Sequence, residues 1–258
     1  MILDDIAAYT RERVEALKKK KSLYAVRDEA EGSPAGKDFY GALAAPGLSV
    51  IAELKQASPS KGLIAPDFER IFLDKASQYE DGGAAAISCL TEPKFFLGSD
   101  EYLRRVRAAV QLPILRKDFT IDEYQIYEAK CLGADAVLLI CSLLSKAQLA
   151  EYLCQAHELG MSALVEAHDA DEVGAAIAAG AGIIGVNNRN LKDFTVNPLN
   201  SLRLREQIPA DKIFVAESGI AKASDCAGLK AAGVQAVLVG EALMRSPNPA
   251  VMLKEMRA

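Results

Sequence analysis

The stretch "GADAVLLI", residues 133–140, decides the fold. A glycine that closes a helical pattern, followed at once by an unbroken apolar run, marks a helix end and then a short strand covered on both faces. The phrase recurs as "GGAAAIS" from 82, "GAGIIGV" from 180 and "GVQAVLVG" from 233. Further apolar runs at "LSVIAEL" (48–54), "LPILRK" (112–117), "MSALVEA" (161–167) and "KIFVAE" (212–217) bring the total to eight. They begin roughly every 20 to 35 residues with helical patterns between them, the spacing of βα units in a parallel sheet. Eight such units in about 210 residues predict an α/β protein with a closed (β/α)8 TIM barrel. An open dinucleotide-binding sheet is disfavoured, because no G-x-G-x-x-G follows the first strand.

The chain has 258 residues, half of them hydrophobic and a quarter charged, without a Pro/Ser linker or low-complexity block. We therefore expect one barrel domain over 1–258 with one large core. Residues 1–45 stand outside the repeat. Leu3, Ile6, Tyr9, Val14 and Leu17 fall near helical spacing, which predicts an N-terminal helical extension packed on the barrel. The run "KKKK" at 18–21 reads as the solvated end of that helix. A net charge of −5 argues against nucleic acid as partner and confines any anion site to a local pocket. The N-terminus lacks an apolar run long enough for a signal peptide or a membrane span, so a cytoplasmic protein with no membrane partner is expected. No heptad or long apolar patch is evident, and a monomer is expected. The five cysteines, Cys89, Cys131, Cys141, Cys154 and Cys226, form no CxxC pair and read as reduced packing residues.

In such barrels the active site lies at the C-terminal ends of the strands. Here Glu53 and Lys55 end the first strand two residues apart, on one side of an extended chain. Lys117 ends the third, Glu166 the fifth, Asn187 followed by Arg189 the sixth, and Glu217 the seventh. Any one of them reads equally as a loop salt bridge or a helix cap. Together they describe a charged mouth in which neighbouring groups shift each other's pKa values, letting lysine act as acid and glutamate as base near neutral pH. Neither histidine is expected to catalyse: His157 falls on an outer helix surface, and His168 with Asp169 reads as the loop and cap before the next helix. Carboxylates alternate with lysines and no His cluster accompanies them, so no metal and no cofactor are expected.

"ESGI" (217–220) and "GEAL" (240–243) follow the last two strands, the loops from which barrels build phosphate sites out of backbone N–H groups. Small residues at Ser218, Gly219 and Gly240 admit the oxygens closely, with tight turns alone as the alternative reading. The loop "SPSKG" (58–62) adds hydroxyls, including Ser58, and a lysine, as a mobile lid over the same anion would.

Through "ELKQASPSKG", "CLTEPKFFLGSDEYL", "ILRKDFTIDEYQI", "ALVEAH", "GVNNRNLKDF", "VAESGI" and "LVGEALM", in that order at the strand ends, the whole chain resembles the indole-3-glycerol phosphate synthases. The resemblance implies a phosphorylated small-molecule substrate, 1-(2-carboxyphenylamino)-1-deoxyribulose 5-phosphate. It also implies a carboxy-lyase of tryptophan biosynthesis whose products are indole-3-glycerol phosphate, carbon dioxide and water. It makes Lys117 the general acid at the ketone and Glu166 the group that serves later proton removal and dehydration. Lys55 would sit near the carboxylate or assist dehydration. Glu53 and Asn187 would orient the substrate and the lysines, Arg189 would hold an anionic group, and Glu217 would complete the ring of charges. Ser58, Ser218, Gly219 and Gly240 would meet the phosphate, and Phe96 and Phe119 would flank the anthranilate ring. Spacing alone reads the two phenylalanines equally as barrel packing. Asn190 stands where an aspartate is common in that family, and Glu241 where some members carry a small hydroxyl residue.

Two other readings use the same residues. A sugar-phosphate isomerase or a lysine Schiff-base aldolase would keep the phosphate loops and ask of Lys117 a depressed pKa. A silent barrel that only binds a metabolite or a neighbouring enzyme would not need the assembled Lys/Glu set.

Overall fold

A computed structural model describes residues 2–190 and 194–258, so positions 191–193 of the "GVNNRNLKDF" motif lie outside the described residues. In chain order the elements are α1 (Ile2–Lys20), α2 (Leu23–Glu31), α3 (Phe39–Leu43), β1 (Ser49–Leu54), β2 (Ala57–Ser58), β3 (Gly62–Leu63), α4 (Phe68–Asp81) and β4 (Ala86–Leu90). They continue with α5 (Asp100–Ala109), β5 (Ile114–Lys117), α6 (Glu123–Leu132), β6 (Ala136–Ile140), α7 (Lys146–Glu158), β7 (Ser162–Ala167), α8 (Ala170–Ala178) and β8 (Ile183–Asn187). The last are α9 (Leu199–Arg205), β9 (Ile213–Glu217), α10 (Ala223–Ala231), β10 (Ala236–Val239), α11 (Glu241–Arg245) and α12 (Pro249–Arg257). Eight parallel strands close into a barrel in the order β1-β10-β9-β8-β7-β6-β5-β4, as the repeated phrase predicts. Gly83, Gly133, Gly180 and Gly233, the glycines of that phrase, all have positive φ (79°, 86°, 86° and 76°), the left-handed turn that lets each helix feed the next strand.

Strand alternation sorts the side chains into two layers. Leu115, Leu138, Leu164, Val215 and Leu238 point into the barrel, while Ile114, Val137, Val165, Phe214 and Val237 pack outward with the helices. Lys117 and Glu166 continue the inward rows of Leu115 and Leu164, which is how a two-residue period delivers charge to the mouth. Phe39 and Leu43 of α3 join the inward residues Ala86, Ala136, Ile183, Ile213 and Ala236 and close the opposite end.

Helix α1 reaches the end of the barrel where the strands finish. Arg13 grips both oxygens of buried Asp118 at 2.7 Å, next to Lys117, and the rings of Tyr9 and Phe95 meet edge to face at 6.3 Å. The lysine run is less solvated than its composition suggests. Lys18 pairs with Asp122 at 2.7 Å and Lys21 pairs with Glu29, leaving Lys19 and Lys20 exposed. Among the cysteines, Cys89, Cys141 and Cys226 are buried and Cys154 is exposed on α7, where the packing reading fails. Burial pushes the Cys226 thiol up to about 11. Among the described residues no helix is long and apolar enough to cross a membrane.

Candidate active site

All thirteen residues singled out from the sequence line one cavity of about 830 Å³ at the C-terminal mouth of the barrel. Strand register sets their level. Glu166 pairs with Gly185, Asn187 with Glu217, and Leu90 with Lys117, so the charged ends stand side by side around the rim. Leu138, Ile140 and Leu238 form an apolar floor beneath them.

At the centre Lys117 Nζ donates to Glu166 Oε2 at 2.9 Å and to Glu217 Oε2 at 3.1 Å. The other oxygen of Glu166 accepts from Asn187 Nδ2 at 3.1 Å, and Asn187 Oδ1 accepts from the backbone N of Arg189 at 2.9 Å. Lys55 is hydrogen-bonded to Glu53, whose second oxygen lies 3.5 Å from the hydroxyl of buried Ser88. Both carboxylates around Lys117 are 2 % exposed, so little water screens the cluster.

That arrangement turns the lysine in the direction opposite to the sequence expectation. Burial disfavours its ammonium, but Glu166, Glu217 and Glu53 outweigh burial and raise the pKa well above the usual lysine value. Burial likewise disfavours ionised Glu166, yet Lys117 and His168 hold it well below the usual carboxylate range. Glu217 moves the other way, because burial and the neighbouring charge of Glu166 together exceed the pull of Lys117 and push it up to about 7. Its Oε1 is buried without a hydrogen bond. The group poised near neutrality is therefore Glu217, not Lys117 or Glu166.

Phe96 and Phe119 face each other across one wall, with ring centroids 5.8 Å apart and planes at 41°. On the far side Ser218 and Gly219 are consecutive left-handed residues (φ 68° and 77°), a strained turn of the kind found at ligand sites. Asn188 holds that turn by donating to Ser218 O at 3.0 Å while its own oxygen accepts from Ser201 N and Oγ. Gly240 precedes α11. A Cβ there would lie 2.4 Å from Glu53 Oε1 and 2.9 Å from Lys55 Nζ, so its lack of side chain makes room for the Glu53–Lys55 pair. Glu241 does not stand alone beside it, being paired with Arg245 at 3.1 Å and with Lys61 at 3.7 Å. Ser58 and Lys61 belong to the small β2–β3 hairpin, which the sequence reading took as a loop; its tip leaves Lys61 half exposed over the cavity. Arg189 Nη1 donates to Phe194 O at 3.2 Å.

Several supporting residues escaped sequence reasoning. Arg116, pointing outward between Lys117 and Leu115, is buried against Asp100 at 2.9 Å and Glu128 at 2.7 Å and anchors β5 from behind. Ser88, Asn188 and Gly185 act through register with strands distant in sequence, which no local motif encodes. Asp169 caps α8 as expected, accepting from Glu172 N at 3.0 Å, but His168 also turns its Nε2 to within 3.4 Å of Glu166 Oε1. His157 is exposed on α7.

Comparisons with known proteins bear on the same residues. The barrel resembles the crystal structure of 3-hexulose-6-phosphate synthase from Salmonella typhimurium with a TM-score of 0.65. That match covers 81% of this chain and 97% of that one at 16% identity, and it shows the fold alone. Much higher similarity is found to the indole-3-glycerol phosphate synthase of Ruminiclostridium cellulolyticum, 54% identical over all of this chain and 99% of the relative. The indole-3-glycerol phosphate synthase of Endomicrobium trichonymphae is 52% identical with both chains fully covered. The family model described as indole-3-glycerol phosphate synthase matches residues 3–256, N-terminal helices and strand-end charges included, and the chain belongs to that family.

Proposed function

We propose that the cavity converts 1-(2-carboxyphenylamino)-1-deoxyribulose 5-phosphate into indole-3-glycerol phosphate, carbon dioxide and water, as a carboxy-lyase of tryptophan biosynthesis. The observation that carries the reading is Lys117, fixed between Glu166 and Glu217 beside the Phe96–Phe119 wall and opposite the Ser218–Gly219 turn. Substrate held with its aromatic ring on that wall and its phosphate at the turn spans the lysine.

Attack of the carboxylate-bearing ring carbon on the ketone creates an alkoxide, which takes the Lys117 proton. The raised pKa of Lys117 does not prevent this, because an alkoxide is a strong base and the ammonium is the only form present at neutral pH. Carbon dioxide then leaves and its bonding electrons restore the ring. In the last step the hydroxyl departs as water with a second proton, while Glu166 removes a proton from carbon; its depressed pKa keeps it ionised for that task. Lys55 serves the departing carboxylate or the dehydration, with Glu53 and Asn187 orienting the lysines and the substrate. Arg189 holds an anionic group, Glu217 completes the ring of charges, and Ser58 and Gly240 join Ser218 and Gly219 at the phosphate.

A Schiff-base aldolase needs a lysine that is neutral near physiological pH. Carboxylates at 2.9 and 3.1 Å oppose that state in Lys117. The same proposal takes residues 1–258 as one barrel domain with 1–45 as its extension, working as a monomer in the cytoplasm without a nucleic-acid partner. Incubating the purified protein with the substrate tests the reaction: indole fluorescence and carbon dioxide should appear together. One without the other overturns it.

A further inference from the structure

Charge balance makes a demand that the first cavity does not visibly meet. On the reading above, which this inference rests on, the ketone oxygen receives two protons before it leaves as water and one proton is taken from carbon. Each turnover therefore consumes one proton. Glu166 can return the carbon proton to Lys117 across 2.9 Å; the second proton of the dehydration, which Lys117 draws from Glu217 across 3.1 Å, has to be replaced from solvent through the same groups.

A second cavity of about 600 Å³ lies behind Glu166, lined by His168, Asp169, Glu172, Asn200, Leu3 and Asp4 among others, and it shares Asn187 and Arg189 with the first. His168 stands between the two. The chain leaves β7 as "EAHD"; Asp169 caps α8, and the first helical turn brings the Glu172 carboxylate back to accept from His168 N at 2.8 Å. Glu172 Oε2 also lies 3.1 Å from the ring Nδ1, and Asn200 Nδ2 donates to His168 O at 3.0 Å. The imidazole is thus held from one side, with its buried and unbonded Nε2 3.4 Å from Glu166 Oε1. We propose that His168, acting through Glu166 and not on the substrate, relays protons from the second cavity to Glu166 and on to Lys117, supplying the one proton that each turnover consumes.

An imidazole with one nitrogen toward each of two carboxylates can accept at one nitrogen while it donates from the other. No electrons move: the imidazolium gives its Nε2 proton to Glu166, which hands it on to Lys117, and the neutral ring, left with its Nδ1 proton on Glu172, turns to take a replacement from solvent in the second cavity. Catalytic hydrogen bonds are often long before substrate binds, and a small ring rotation closes the 3.4 Å gap. Burial disfavours the imidazolium, but Glu172, Glu166 and Glu217 outweigh it and hold the pKa above the usual histidine value. Asp4, Asp169 and Arg189 are the other charged groups around the second cavity among the described residues.

The test uses the full chain carrying His168→Asn or Glu172→Gln, followed by stopped-flow fluorescence. The resting enzyme already holds the protons for one cycle. With enzyme in excess, both variants should complete the single turnover at close to the parent rate. With substrate in excess, later turnovers should slow by about 10- to 100-fold, at or below the lower end of the effect of losing an acid or base itself. The KM should hold, and added imidazole should restore His168→Asn in proportion to its concentration. A structural role would slow both phases alike and give no imidazole rescue; that result overturns the relay, as does a parent-like steady state in both variants. If His168→Asn does not fold, Glu172→Gln keeps the ring and reads the same split between phases. Failure of the unsubstituted protein to form product overturns the functional reading instead.

Discussion

Gly185 makes room for Glu217: a Cβ on Gly185 would lie 2.3 Å from Glu217 Oε1 and 3.1 Å from Leu164 Cδ1. Position 185 faces the barrel interior at the level of Glu166, so a methyl group there would press Glu217 away from Lys117. We expect Gly185→Ala to lower kcat by up to about 10²-fold, the cost of misplacing a catalytic group by roughly 1 Å, with KM changed far less. Steady-state kinetics check this. Parent-like turnover would show that Glu217 is not needed where it stands.

The raised pKa of Glu217 has a consequence for stability. The folded protein holds this proton more tightly than the unfolded chain, so ionising Glu217 costs stability. The cost is absent below the ordinary value of 4.5, grows as pH rises, and is fully present above about 7. Glu166 acts in the opposite sense: its depressed pKa stabilises the fold above 4.5, and that contribution is lost as pH falls toward 2. Glu217→Gln should therefore stabilise the fold above neutral pH by about 1 to 3 kcal/mol, raising Tm by roughly 2 to 10 °C, and leave Tm unchanged under acid conditions. Turnover should fall at every pH. Thermal unfolding across a pH series measures both limbs, and a lower Tm at high pH would mean that pairing with Lys117 outweighs burial.

The Ser218–Gly219 turn offers a separate handle on phosphate. Gly219 has φ of 77°, and a Cβ there would meet Val196 Cγ1 at 2.7 Å, so Gly219→Val must reshape the turn. If that turn binds the phosphate, KM should rise by at least about 10-fold, and the protection of the parent by inorganic phosphate against thermal unfolding should disappear. Equal protection of variant and parent would put the phosphate elsewhere.

What the sequence made legible was what a strand's own period encodes. Glu53, Lys55, Lys117, Glu166, Asn187 and Glu217 could be placed because a parallel barrel sends every strand end to one mouth, and a two-residue alternation says which side chains enter it. The glycines before β4, β6, β8 and β10 told where helices stop. Gly185, Ser88 and Asn188 were not legible, because each matters through the register of a strand far away in sequence; His168 read as part of a cap, because no local pattern says that its ring turns back toward Glu166. The direction of the Lys117 shift was hidden for a related reason. Its sign depends on how many carboxylates stand near one ammonium, and only packing counts them. Two-residue strands such as β2 and β3 carry too few side chains to show a period, so the hairpin read as a loop.

Lys117 and Lys55 remain competing donors to the ketone oxygen, and the structure separates their surroundings. Lys117 is held by two carboxylates on the apolar floor, while Lys55 is paired with Glu53 at the edge of β1, close to Gly240. A donor must reach the oxygen of the carbon under attack, which on the proposed binding mode lies between the aromatic wall and the Ser218–Gly219 turn; Lys117 stands between those features. Replacing it with methionine keeps most of the side chain's length and removes the ammonium. Lys117→Met should lower the single-turnover rate of ring closure by about 10²- to 10⁴-fold, the range for loss of a general acid. Binding, measured separately by titrating product, should weaken much less, because phosphate and carboxylate are held by other groups. Lys55→Met should leave ring closure near the parent rate while affecting binding or the dehydration step. The reverse pattern, with ring closure surviving in Lys117→Met and lost in Lys55→Met, would move the acid to Lys55 and leave Lys117 as the counter-charge that keeps Glu166 ionised.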